Sequence, residues 1–215
     1  MTPPPARPTA PLSSAAATGT APGRQRQPPH IRRRMIVAAA RTLIGEQGLA
    51  ATSMRDVARA SDVALGTLTY HFAGIDEVLA EVLAEEMVTY SAPSMAAARQ
   101  APTGADGLVV IADGLLAADE SAVQHWRLWL DFWSLAAHVP RYGDWQSEIY
   151  RDLHDLVAEQ LRRGTADGTL AVTDAPRQAI EFVALLDGLV VQCYLPHPRI
   201  ELAAARRILG RFARP

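Results

Sequence analysis

Trp126, Trp129 and Trp133 fall at i, i+3 and i+7, so a helix through them carries three indole rings on one face, with Phe132 beside them. Tyr142, Trp145 and Tyr150 follow in the next helical stretch. Aromatic faces attract cations through their ring quadrupoles, and Asp131, Asp144, Glu148 and Asp187 are candidate counter-charges. One chemistry this pattern supports is a pocket for a cationic or aromatic small molecule. The other reading is a packed core, the commoner role of aromatic stripes. The candidate ligand-binding set is Trp126, Trp129, Asp131, Phe132, Trp133, Trp145, Glu148 and Asp187. Catalytic chemistry finds no support. The chain has no nucleophile elbow and no Gly-rich phosphate loop, and His30, His71, His125, His138, His154 and His197 show no metal-ligand spacing. Neither a cofactor nor a metal is expected.

A second chemistry lies in residues 52–72, TSMRDVARASDVALGTLTYHF, which read as two short helices around a tight turn. Such a helix-turn-helix places one helix in the DNA major groove. Ser53 and Asp56 form a capping-box-like start, and Asp62 sits at the turn, where left-handed backbone is needed. Val57, Ala58, Ser61, Leu68 and Phe72 face inward. Leu65, Gly66, Thr67, Thr69, Tyr70 and His71 remain outward, a face suited to bases and phosphates. The candidate DNA-binding set is Arg32, Arg33, Ser53, Arg55, Leu65, Gly66, Thr67, Tyr70 and His71.

The helix upstream makes this reading specific. Residues 31–51 place Ile36, Ala39, Ala40, Leu43 and Ile44 on one face, with Gly48 as the stop. Taken together, I-x-x-A-A-x-x-L-I-x-x-x-G-x-x-x-T-S-M-R-D-V-A followed by V-x-x-G-T-L-x-x-H-F resembles the N-terminal domain of the TetR family of bacterial repressors over residues 31–79. In the body, WLDFWSLAAHVP at 129–140 and the Asp187-Gly188-Leu189 match resemble the BetI-type, betaine-pathway repressors of that family. The resemblance implies a base-contacting role for Arg55. It also implies an all-α fold whose last two long helices form a four-helix bundle with their symmetry mates. Three positions depart from the family pattern. Asp62 stands where Gly is usual, Thr69 where Tyr is usual, and Ile75 where a phosphate-binding Lys is usual.

Charge is divided along the 215-residue chain. Up to Phe72 nine arginines face three acidic residues, net +6, while residues 73–215 hold twelve against twenty, net −8. A basic end on an acidic body suits a protein that puts one end on DNA. All 21 cations are arginine. Cys193 is the only cysteine, so no intramolecular disulfide is possible, and no apolar run is long enough to span a bilayer. Residues 1–29 lack the apolar stretch of a secretory signal and read as a disordered tail, with Arg24 and Arg26 available as a DNA arm or merely solvated. A cytoplasmic protein without a membrane partner is expected.

The expected domains are the tail (1–29), a helix-turn-helix domain (30–75) and a helical ligand-binding and dimerisation domain (76–215). Helices are expected near 76–99, 104–118, 120–138, 142–163, 175–195 and 199–212, with breaks at Pro93, Pro102, Pro140, Gly164 to Asp174, and Pro196 to Pro198. Residues 175–195 carry Ile180, Val183, Leu186, Leu189, Val190 and Cys193, an apolar face wider than a core stripe requires, and Ala184 with Gly188 allows a close helix approach. Leu185, Gly188, Leu189, Gln192 and Cys193 are the expected dimer contacts. The expected protein is a homodimeric repressor that binds palindromic operator DNA and releases it when a small molecule enters the body. The alternative is a constitutive DNA-binding or architectural protein whose body only dimerises.

Overall fold

Helix-forming periodicity dominates the chain after the tail, and the computed structural model, which describes residues 28–214, is helical in every regular element described. Residues 1–27, most of the expected tail with Arg24 and Arg26, lie outside the described residues.

The N-terminal unit is built from α1 (Pro29–Gln47), α2 (Met54–Ala60), α3 (Leu65–His71) and the start of α4 (Ile75–Glu86). Gly48 stops α1 at φ +82°, a backbone region that glycine enters without strain, and a 3-10 turn (Leu49–Ala51) follows. Ser53 and Asp56 form the capping box expected of α2, and Asp62 turns the chain at φ +54°. Ile36, Val37, Ala40, Ile44, Val57, Leu68, Phe72, Val78 and Leu79 fill the core of this unit. Ala39 and Leu43, expected inside, are only half-buried, and Val37 takes a core position instead. The reason is that α1 is packed by α2 and α4 and also by α7 (Glu120–Ala136) of the body, so its buried face is wider than one stripe.

The rod leaving the head does not break at Pro93. It runs through a π-helical turn (Met87–Ser91) into α5 (Ala92–Gln100), with Pro93 in the first turn of α5. Proline has no N–H to return to the preceding turn, and the wider π ring absorbs that loss. The hydroxyl of Thr89 also donates to the Glu85 carbonyl at 2.8 Å, a back-bond that bends helices.

The body adds α6 (Gly104–Leu115), α8 (Pro140–Ala166), α9 (Ala175–Tyr194) and α10 (Leu202–Leu209), the last ending in a 3-10 turn (Gly210–Ala213). Pro140 opens α8, where its missing N–H is an orphan in any case. Gly164, expected to begin a break, lies inside α8 because α6 crosses there: a Cβ on Gly104 would come within 2.1 Å of the Gly164 nitrogen. Phe132, Phe182, Leu108, Ile111, Leu116 and Leu128 are among the fully buried side chains of the body. No described helix is long and apolar enough to cross a membrane.

Candidate DNA-contacting face and effector cavity

The local sequence of α2 and α3 fixes which side chains leave the head. Leu68 and Phe72 point into the core, which turns Leu65, Gly66, Thr69 and Tyr70 to the surface. Tyr70 is 82 % exposed, and nothing stands within 4 Å of where a Gly66 Cβ would be. Thr67 and His71 are half-buried; Ser53 and Arg55 are exposed. Ser53 is occupied by its cap, its Oγ accepting from the Asp56 amide at 3.3 Å. Arg32 is half-buried.

Arg33 is engaged within the head. Its Nε and Nη2 donate to the two Glu81 carboxylate oxygens at 3.1 and 2.6 Å, and Nη1 donates to the His71 carbonyl at 2.6 Å. Its guanidinium also lies 4.1 Å over the Phe72 ring. A fork engaged by a carboxylate, a carbonyl and a ring ties α1 to α3 and α4, which gives Arg33 a structural role beside the DNA contact expected of it. Ile75, where the family's lysine stands, packs against the hydrophobic core.

In the body, α7 presents Trp126, Trp129 and Trp133 to a cavity of about 50 Å³ between the α4–α5 rod, α8 and α9. Met87, Ser91 and Met95 come from the rod, His125 from α7, Gln146 and Tyr150 from α8, and Leu186 and Asp187 from α9. The Trp126 indole donates to the Leu115 carbonyl at 2.7 Å, whereas the buried indole nitrogens of Trp129 and Trp133 and the Gln146 side-chain oxygen have no hydrogen-bond partner among the described residues. The Tyr150 hydroxyl donates to Asp187 Oδ2 at 2.7 Å. Burial pushes the Asp187 carboxyl up to about 6, although the Tyr150 hydrogen bond acts in the lowering direction. Burial raises the Tyr150 phenol well above its ordinary value.

Four expected ligand residues stand elsewhere. Two residues along a helix is a turn of some 200°, so Asp131 faces away from the Trp129 side, where its Oδ2 accepts from the Leu49 amide of the head at 2.7 Å. Phe132 is fully buried among Trp129, Tyr142 and Trp145. Trp145 stacks on Trp129 at 6.4 Å without lining the cavity, and Glu148 is exposed. The aromatic pattern is thus both core and cavity wall. Sequence reading missed His125, Gln146, Met87 and Ser91. The i, i+4 spacing of Gln146 and Tyr150 was a usable signal; Met87 and Ser91 had none, because they depend on the π turn.

His125 and Glu86 form a pair that is 1 % exposed on each side, with His125 Nδ1 2.9 Å from Glu86 Oε2. Arg41 of α1 donates to the other Glu86 oxygen. Burial disfavours the charge on Glu86, but the hydrogen bonds from His125 and Arg41 hold its carboxyl below the usual range. Burial lowers the His125 imidazole, so a neutral ring donates its Nδ1 hydrogen to an ionised carboxylate.

The expected dimer face also divides. Leu189 and Cys193 are 3 % and 7 % exposed and belong to the chain's own core, because α9 turns that side to its neighbours in the body. Gly188 and Gln192 are exposed and Leu185 is half-buried. Ile180, 55 % exposed, continues the open stripe with Ala184.

Comparison with known proteins agrees with this architecture. Residues 36–82 match the bacterial regulatory proteins of the tetR family, and residues 104–214 match the BetI-type transcriptional repressor C-terminal domain. The chain is 26 % identical over 187 residues to the HTH-type transcriptional regulator BetI of Cronobacter sakazakii, covering 86 % of this chain and 90 % of that protein. It is 25 % identical to the HTH-type transcriptional regulator PksA of Bacillus subtilis, over 83 % of this chain and 86 % of that protein. Among solved structures, a Saccharomonospora viridis protein in complex with choline shares the fold at TM-score 0.79 and 23 % identity, over 85 % of this chain and 95 % of that one. Since the BetI-type match alone spans more than half of its residues, the chain belongs to the TetR family of transcriptional regulators, with a BetI-type C-terminal domain, and is not an enzyme.

Proposed function

We propose that the protein is a homodimeric repressor that binds palindromic operator DNA and releases it when a small cationic effector enters the body cavity. The observation that carries this reading is Asp187, a half-buried carboxylate that makes no ion pair among the described residues and faces a cavity walled by Trp126, Trp129 and Trp133. Drawing a carboxylate partly out of water costs stability unless a positive charge joins it, and aromatic faces supply the rest of a site for an alkylated ammonium group. The choline held by the Saccharomonospora viridis relative is a ligand of that chemistry.

A cavity of about 50 Å³ holds only a few water molecules. An ammonium alcohol therefore enters by parting the walls, so binding and conformational change are coupled. Linkage then requires DNA to weaken effector binding by the same factor, typically ~1–3 kcal/mol. The open stripe of Ile180, Ala184, Gly188 and Gln192 on α9 supports pairing with a second copy, since a Cβ on Gly188 would meet nothing within 4 Å. A two-fold pair reads two half-sites, which one recognition helix cannot do.

The test uses a DNA duplex that the protein itself selects from a random-sequence pool, with affinity measured with and without choline chloride. Wild-type protein is expected to bind as a dimer and to release the duplex with choline, while Asp187→Asn binds DNA but does not respond. DNA binding that no small cation alters would support the constitutive alternative instead.

A further inference from the structure

The cavity helix α7 is fastened to the DNA-binding head both directly, at points independent of the α4–α5 rod, and through Glu86, the last residue of α4. On its far side Asp131 accepts from the Leu49 amide at 2.7 Å, and Gln124 Oε1 accepts from Arg41 Nη1 at 3.1 Å. His125 belongs to both sides. Its ring lines the cavity, stacked on Tyr90 at 3.9 Å and edge-on to Trp126 at 5.0 Å, while its Nδ1 meets Glu86, which in turn holds Arg41. An unbroken run of contacts leads from the aromatic wall to α1. Because Glu86 is buried, withdrawing Arg41 would leave its charge without an opposite charge, and withdrawing His125 would leave a buried carboxylate oxygen without a donor. His125 therefore cannot shift without carrying Arg41 along or breaking that site.

We propose that Glu86 and Asp131 are positioning residues that report cavity occupancy to the head, by making α1 follow α7 when the cavity walls part. The proposal rests on the effector reading above. It differs from a signal carried by the rod alone, because Asp131 and Leu49 bridge head and body through space.

The test separates the two readings by filling the cavity without a ligand. Leu186→Phe enlarges a fully buried side chain on the α9 wall, remote in sequence from both ties. In otherwise wild-type protein it is expected to weaken binding to the selected duplex at least fivefold. In Asp131→Ala, and in Glu86→Gln, the same change is expected to cost less than twofold, and Asp131→Asn, which keeps an acceptor for the Leu49 amide, restores the penalty. Asp131→Ala decides the matter should Glu86→Gln fail to fold. Equal penalties in all backgrounds, or no penalty in any, overturn the proposal. In parallel, choline binding is followed by quenching of tryptophan fluorescence. No binding to wild-type protein would refute the choline-like effector alone, since the Leu186→Phe comparison uses no ligand.

Discussion

Tyr150 and Asp187 meet at 2.7 Å across the cavity wall between α8 and α9, the phenol donating and the carboxylate accepting. The hydrogen bond satisfies one lone pair of Asp187, and no described residue forms an ion pair with it. On the proposed reading, stability and effector recognition therefore oppose each other at one side chain.

Asp187→Asn should therefore stabilise the protein. Its folded-state pKa of about 6 stands above the ordinary carboxylate value of 3.8, so its contribution to stability is complete below that value and is lost as pH rises through about 6. Allowing for partial exposure, the amide variant should gain roughly 1–2 kcal/mol at pH 7, read from urea unfolding, and the gain should vanish near pH 4. A loss of stability at pH 7 would show the carboxylate to be compensated.

The proposed role of the same group predicts a pH dependence of recognition. A protonated Asp187 offers no counter-charge, so choline affinity, measured by calorimetry, should fall up to about tenfold per unit as pH drops below about 6. In Asp187→Asn the profile should be flat across that range.

The tryptophans should separate by burial. Trp129 is 4 % exposed and packs against Phe132 and Trp145, so Trp129→Leu should cost roughly 2–3 kcal/mol of stability. Trp133 is half-buried with an unpartnered indole nitrogen, and Trp133→Leu should fold normally. Its choline affinity should drop tenfold or more, since a desolvated cation–π contact contributes ~2 kcal/mol.

On the head, Arg55→Ala should relax sequence preference at one base pair by roughly 1–3 kcal/mol, whereas Tyr70→Phe should weaken all sites alike. Selection from a random pool followed by titration distinguishes these outcomes. If Leu65 touches a thymine methyl group, uracil at that position lowers affinity.

Arg33→Ala should act through stability. Losing the Glu81 and His71 contacts and the Phe72 stacking should lower the unfolding free energy by roughly 1–2 kcal/mol and leave sequence preference unchanged. A changed preference would place Arg33 in the DNA-reading set.

Much of the architecture was legible because its causes are local. The Ser53–Asp56 capping box, the Asp62 turn and the inward Val57, Leu68 and Phe72 depend on residues within a few positions of one another, where spacing alone settles the geometry. The tryptophan stripe was equally plain. Side-chain assignments across helix crossings were not: Asp131 meets an amide 82 residues away, Glu86 meets His125 across 39, and Arg33 meets Glu81 across 48. Helical periodicity establishes that Asp131 leaves α7 opposite Trp129, but not that α1 waits there. Leu189 and Cys193 were read as interface because an apolar stripe looks the same whether its cover is the chain's own body or a second copy. The amino-acid order therefore carried the helices and their caps, which are products of short-range interactions, and the family, which is a match of residues. The division of polar side chains between cavity, head and clamp came from the packing of helices distant in the chain, where burial leaves each charge only the partners within its reach.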